Sequence, residues 1–226
     1  MSQAVRYHTE GTVGVLTLDR PDNRNSMTPE LLDAFAEASA QARGDAEIRA
    51  LVVTGTGHCF SSGADFKATL QRDGNAAPHE RSYAMYAPFL SLLDVAVPIV
   101  GALNGHAVGG GFGLALVCDL RIGAEDAKYG ANFVKLGLAP GLAISYLLPR
   151  LVGVARANEL LLTGRLVEGR EAAALGILNR ALPAAQVLPA AMELANQIAA
   201  AAPLAARATK AAILQGLDLH VREAVR

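Results

Sequence analysis

Tryptophan is absent from this chain, and only two cysteines, Cys59 and Cys118, occur in its 226 residues. Two thiols make no disulfide framework, and their separation fits no zinc knuckle. Histidine is scarce as well. His8, His58, His79, His106 and His220 are scattered and form no H-E-x-x-H pair, so no metal site is expected. Neither sign of charge is in excess: 20 Lys+Arg against 21 Asp+Glu gives −1. The clustered basic excess of a nucleic-acid binder is missing. A P-loop and a G-x-S-x-G elbow are missing too, and no tyrosine has a lysine four residues on. The first residues, Met1 to Arg6, hold no apolar core of a secretory signal. The longest apolar stretch, Val95 to Val117, is interrupted by Pro98, Asn104, His106 and six glycines, which argues against a membrane span. A reducing, cytoplasmic setting is the default expectation.

What the chain does have is apolar mass. Hydrophobic residues make up 52%, enough for one large domain or two small ones, and disorder is excluded for most of the length. Val13 to Leu18 is a β-branched run closed by Asp19-Arg20-Pro21 and predicts a strand. Thr28-Pro29-Glu30 predicts a helix start, with a cap, a first-turn proline and an acid at the positive end of the dipole. Leu31, Phe35, Ala38 and Ala42 follow at helical spacing up to Gly44. The apolar runs 50–54 and 98–103 predict buried strands, with a further strand at 120–124 and a short one near 178–182. Tyr83 to Leu93 and Phe112 to Val117 predict helices, and beyond Gly141 the pattern is mostly helical. The expected organisation is an α/β core over residues 1–180 and a helical region over 181–226.

Two glycine-rich segments follow predicted strands: Ser62-Gly63-Ala64-Asp65 and Gly109-Gly110-Gly111. Small residues admit a ligand close to the backbone, and a helix start presents free N–H groups. Two such amides aimed at one point would form an oxyanion hole. Taken singly, each segment reads first as a tight turn with close helix–strand packing. Gly109 to Gly113 does not give the G-x-G-x-x-G of a dinucleotide loop.

The segments gain meaning from what surrounds them. Leu18-Asp19-Arg20-Pro21 with Arg24-Asn25-Ser26-Met27, Cys59 to Lys67, Asn104 to Gly111 with Cys118-Asp119, Leu136 to Gly141, Leu162-Thr163-Gly164-Arg165 and Ala172 to Asn179 occur in order. In that order they resemble the enoyl-CoA hydratase/isomerase (crotonase) family, over about residues 10–215. The resemblance implies a crotonase-like spiral of repeated ββα units with a helical C-terminal region that stops short of the family's usual length. It implies homotrimers or dimers of trimers, and acyl-CoA thioesters as ligands, with no cofactor beyond the coenzyme A of the substrate. By match, the Ala64 and Gly110 amides would hold the thioester oxygen. Arg24, Asn25, Asp65, Phe66 and Lys67 would line the coenzyme A path, Asp65 by ordering the turn. Phe112, Gly113, Phe133 and Leu138 would line the acyl pocket, with Leu116 and Leu142 nearby.

The resemblance also exposes a departure. The family's hydratases pair the hole with two glutamates, and the matching positions here are Gly113 and Phe133. Neither residue moves a proton, so ordinary acid–base hydration is not expected. Two expectations stand side by side: an enoyl-CoA hydratase/isomerase-like lyase or isomerase with a non-standard base, or a non-catalytic acyl-CoA-binding or carrier protein. Replacement acids would come from Asp73, His79 and Glu80 in a polar stretch that otherwise reads as a solvated loop. Tyr83 and Tyr86 read as packing residues, and Asp119, Glu125 and Asp126 as structural. With Gly113 leaving space and Phe133 apolar, a pocket favouring long acyl chains is expected.

Overall fold

The strands of five or six residues all join one sheet, and the shorter ones build a second, except Arg180–Leu182, which closes the edge of the first. The computed structural model describes residues 4–64, 78–217, 219–220 and 223, with the backbone alone for 78–82. In chain order the strands are β1 (Val5–Glu10), β2 (Val13–Leu18), β3 (Ala50–Gly55), β4 (Cys59–Ser61), β5 (Ile99–Leu103), β6 (His106–Val108), β7 (Leu120–Ala124), β8 (Lys128–Gly130), β9 (Val167–Glu168) and β10 (Arg180–Leu182). The helices are α1 (Pro29–Gly44), α2 (Pro78–Leu90), α3 (Gly110–Val117), α4 (Ile144–Val152), α5 (Val154–Thr163), α6 (Gly169–Ala174), α7 (Ala184–Ala199) and α8 (Pro203–Gly216).

A six-stranded sheet runs β1-β2-β3-β5-β7-β10, parallel except for the β1–β2 hairpin. A smaller sheet runs β4-β6-β8-β9, parallel except for β8–β9. The chain places β3 in the large sheet and β4 in the small one, then repeats the step with β5 and β6, and again with β7 and β8. A helix follows β6, and α2 precedes β5. The result is a spiral of ββα units, and the expected fold class is the one observed.

Local chemistry explains the frame. Every residue of β2 and β5 is buried, as suits a sheet covered on both faces, where continuous apolar runs replace alternation. Thr28 caps α1, its hydroxyl accepting from the Leu31 N–H at 3.2 Å. That helix buries Leu31, Leu32, Phe35, Ala38 and Ala42, and Phe35 meets Phe89 of α2 edge to face with ring centroids 4.7 Å apart. The helix expected from Tyr83 begins at Pro78 and ends at Leu90, where a 3-10 turn, Ser91–Asp94, carries the chain on. Tyr83 itself is exposed and stands outside the buried core of the described residues, whereas Tyr86 is buried as expected.

The helical C-terminal part is anchored by charge. Lys210 of α8 pairs with Asp119 at 2.9 Å and donates to the Val95 and Val97 carbonyls at 3.0 Å each. Asp119 also accepts from the Ile99 N–H at 2.7 Å, and Arg170 pairs with Glu125 at 3.2 Å. Both acids are therefore structural, as their positions suggested. Among the described residues no helix is long and apolar enough to cross a membrane.

Candidate active site

The small sheet positions the site. β4 delivers Ser61 to Ala64, β6 delivers Gly109 and the start of α3, and β8 leads to Phe133. β4 and β6 are paired, so the two glycine-rich segments leave the sheet side by side. They then pack backbone on backbone. A Cβ on Gly63 would lie 2.6 Å from the Val108 carbonyl oxygen and 2.8 Å from the Gly110 nitrogen. A Cβ on Gly111 would overlap the Ser61 carbonyl. Gly63 holds φ +80°, a conformation that costs glycine nothing.

Two amides are left over by this arrangement. Met27 forms an isolated parallel bridge with Ala64, and the Met27 N–H donates to the Gly63 carbonyl at 2.9 Å. That bridge does not use the Ala64 N–H. Gly110 is the first residue of α3, where an N–H has no partner inside the helix. Neither amide donates to a described residue.

The supporting side chains divide between those facing the turns and those enclosed. Asn25, expected to line a ligand path, is fully buried. Its Nδ2 donates to the Cys59 carbonyl at 2.8 Å and the Thr56 carbonyl at 3.1 Å, and its Oδ1 accepts from the Arg20 N–H at 2.8 Å. Asn25 thus ties the loop before α1 to β4 and offers no free polar atom, which corrects its assignment as a ligand contact. Arg24 stays exposed beside it, and its carbonyl accepts from the Ser62 N–H at 3.1 Å. Residues 65–67 and 73, and the side chains at 79 and 80, lie outside the described residues.

The two positions that would carry glutamates differ. Phe133 is buried, and its ring edge would be 3.8 Å from a Cβ on Gly109, so it stands at the mouth of the turn. Gly113 does not leave the space expected of it. A Cβ there would lie 2.9 Å from Leu142 Cβ and 3.0 Å from its Cδ2. Leu142 is 3% exposed and fills the slot. It does so from a left-handed backbone, φ +51°, followed by Ala143 at φ +54°. Two successive non-glycine residues in that region carry about 1–2 kcal/mol of strain each, so the packing of Leu142 on α3 must hold them. Leu138, expected in the pocket, is 46% exposed, because it follows the Phe133–Leu136 turn back to the surface. Phe112 and Leu116 face the core.

Two side chains near the turns escaped the sequence reading as site residues, and a third, Leu142, was expected near the acyl pocket but not against α3. Met27 lies where a Cβ on Gly110 would strike its sulfur, and the Tyr86 ring would be 3.5 Å from that same Cβ. Only Met27 sat within a motif; nothing in sequence marks the contact of the other two with α3.

Against this geometry, the model of the enoyl-CoA hydratase/isomerase family matches residues 8–226. The chain belongs to the enoyl-CoA hydratase/isomerase family. It is 41% identical over 207 residues to a Thermus thermophilus protein assigned as an enoyl-CoA hydratase, covering 91% of this chain and 81% of that one. It is 36% identical over 232 residues to the (E)-benzylidenesuccinyl-CoA hydratase of Thauera aromatica, covering 98% and 86%. The crystal structure of an enoyl-CoA hydratase from Bacillus anthracis superposes with a TM-score of 0.91 at 30% identity, covering 99% and 87%. Family membership supports a place in acyl-CoA metabolism.

Proposed function

We propose that this protein binds an acyl-CoA thioester with the carbonyl oxygen on the Ala64 and Gly110 amides. The observation that carries the proposal is the pair of backbone N–H groups without described partners on two turns packed against each other. Reaction next to a thioester places negative charge on its oxygen. Fixed amide dipoles stabilise that charge without reorganising, and each donor contributes about 2.7–4 kcal/mol to lowering such a barrier. Arg24 and Lys67 supply cations for the phosphates of coenzyme A.

Proton transfer is where this member departs from the hydratases. With glycine at 113 and phenylalanine at 133, the two carboxylates of the hydratase pattern are missing, and Leu142 occupies the first of those slots. A positioned acid or base contributes roughly 10²–10⁴ in rate. We therefore expect binding of acyl-CoA with little or no hydration of crotonyl-CoA, which favours a non-catalytic acyl-CoA-binding or carrier role over an ordinary hydratase. A homotrimer or a dimer of trimers in the cytoplasm fits the same reading.

Calorimetric titration with coenzyme A, acetyl-, hexanoyl- and dodecanoyl-CoA tests it, alongside a crotonyl-CoA hydration assay. Affinity should rise by about 0.8 kcal/mol per buried methylene until the chain meets Leu142, and then level off. Gly110→Val should weaken thioester binding by crowding Met27. Absence of binding to every thioester, or hydration at an ordinary hydratase rate, would refute the proposal.

A further inference from the structure

The acyl-CoA site described above holds one more polar group, carried by a buried residue. Tyr86 is 7% exposed. Its ring spans the two glycines that bracket the acyl side of the site. One ring edge would be 3.5 Å from a Cβ on Gly110, and the hydroxyl oxygen 2.5 Å from one on Gly141. Any side chain at 141 would displace the phenol, so Gly141 reserves its place. No hydrogen bond to the hydroxyl is found among the described residues. The residue as a whole is buried, but its hydroxyl oxygen is not among the enclosed polar atoms that lack a partner, so it faces open space, where phenylalanine would present no donor to a ligand.

We propose that the Tyr86 hydroxyl selects acyl-CoA thioesters whose acyl group carries an oxygen acceptor, donating a hydrogen bond to that oxygen. The inference rests on the acyl-CoA reading and narrows its substrate class. Position supports it. Tyr86 reaches the site beside Gly110, one of the two residues whose amides would hold the thioester, and its hydroxyl lies at Gly141, next to Leu142, which closes the slot at Gly113. That is the acyl end. Burial pushes the phenol above its ordinary range, so at neutral pH it keeps its proton and acts as a donor. Met27, which meets the same Gly110 position as the Tyr86 ring, carries only a weak acceptor in its thioether sulfur.

The test compares ligands that differ by one oxygen. Dissociation constants for hexanoyl-CoA and for 3-, 4- and 5-hydroxyhexanoyl-CoA are measured by calorimetry on the unaltered protein and on Tyr86→Phe. One hydroxy isomer should bind the unaltered protein about ten-fold more tightly than hexanoyl-CoA, the scale of one buried hydrogen bond. In Tyr86→Phe that ratio should fall to about one. Each ratio is taken within one protein, so partial loss of folded material cancels. No preference for any hydroxy isomer, or a preference that survives in Tyr86→Phe, overturns the role of Tyr86 while leaving thioester binding standing. Failure of all four thioesters to bind the unaltered protein overturns the acyl-CoA reading, and this proposal with it.

Discussion

The large and small sheets are built by opposite means. In the large sheet, β2, β3 and β5 are five or six residues long and almost wholly buried, and apolar side chains do the joining. In the small sheet the strands are two or three residues long, and backbone meets backbone where glycine permits. The first is a frame whose side chains have room to adjust. The second brings two turns together closely enough for their amides to share a ligand, and it has no slack. Function sits on the part with no slack.

Adding one methyl group separates the two designs most sharply. Gly111→Ala would drive its Cβ into the Ser61 backbone carbonyl, which moves only if β4 moves. We expect a loss of more than about 3 kcal/mol, in the range reserved for core overpacking and backbone disruption. Gly14→Ala, in β2, would meet the Tyr7 ring at 3.1 Å and Leu51 Cδ1 at 3.2 Å. Those are ends of side chains that can turn aside, and we expect a loss under about 1 kcal/mol. Urea unfolding of both variants measures the contrast. Equal losses would mean that the sheets are held together in the same way.

The next largest effect lies where the large sheet is tied to the C-terminal helices. Asp119 serves the Ile99 N–H and Lys210 at once, and its side chain is about one-quarter exposed. Asp119→Ala leaves an amide and an ammonium without their acceptor. We expect a loss of about 2 kcal/mol, below the full figure for a buried pair because water reaches this one. Amide exchange should rise in α8 before it rises in β5. Unchanged protection of residues 203–216 would show that Lys210 is held by the Val95 and Val97 carbonyls alone.

The same contrast governs what could be read from sequence. The runs 13–18, 50–54 and 98–103 declared the large sheet because a buried strand must be apolar along its length. α1 was legible from Thr28 to Gly44, since cap, proline and periodicity agreed. β4, β6, β8 and β9 were not read as a sheet, because two or three residues carry no period. Their glycines were visible, and family resemblance rather than periodicity gave Gly63-Ala64 and Gly109-Gly110 a joint meaning. The filling of the Gly113 slot was invisible. It depends on a left-handed backbone at Leu142 and Ala143, a conformation those residue types do not signal. Asn25 misled for a related reason, since its motif position says nothing of which way the amide faces.

A smaller effect probes that hidden contact. Gly113→Ala places a methyl group 2.9 Å from Leu142 Cβ, close enough to force the loop outward. We expect a loss of about 1–2 kcal/mol. Leu142→Gly removes both the opposing carbon and the left-handed strain, but gives up the buried leucine. Combined with Gly113→Ala, it should cost less than the sum of the single changes. A double-mutant cycle measures the coupling, expected to be about 1 kcal/mol. Strict additivity would place Leu142 elsewhere than on α3.

The smallest effect distinguishes the two sheets through their thiols. Cys59, in β4, is pushed up to about 11 by burial, with the Arg24 charge pulling it back down. Cys118, which packs under Gly101 of β5, is pushed up to about 12, again chiefly by burial. Both raised values mean that the folded protein holds thiol protons more tightly than the unfolded chain, whose cysteines titrate near ~8.5. Their contribution is therefore fully present below about pH 8.5. It is lost as pH rises through the folded values, at most about 1.4 kcal/mol per pH unit for each thiol. At pH 8, alkylation of the folded protein by iodoacetamide should be slow at both positions. As the pH is raised Cys59 should react first, since its value is lower and it lies on the less massive sheet. Arg24→Ala should delay that reaction to higher pH. Reaction of Cys118 ahead of Cys59 would mean that the large sheet opens more readily than the small one, the reverse of what their construction implies.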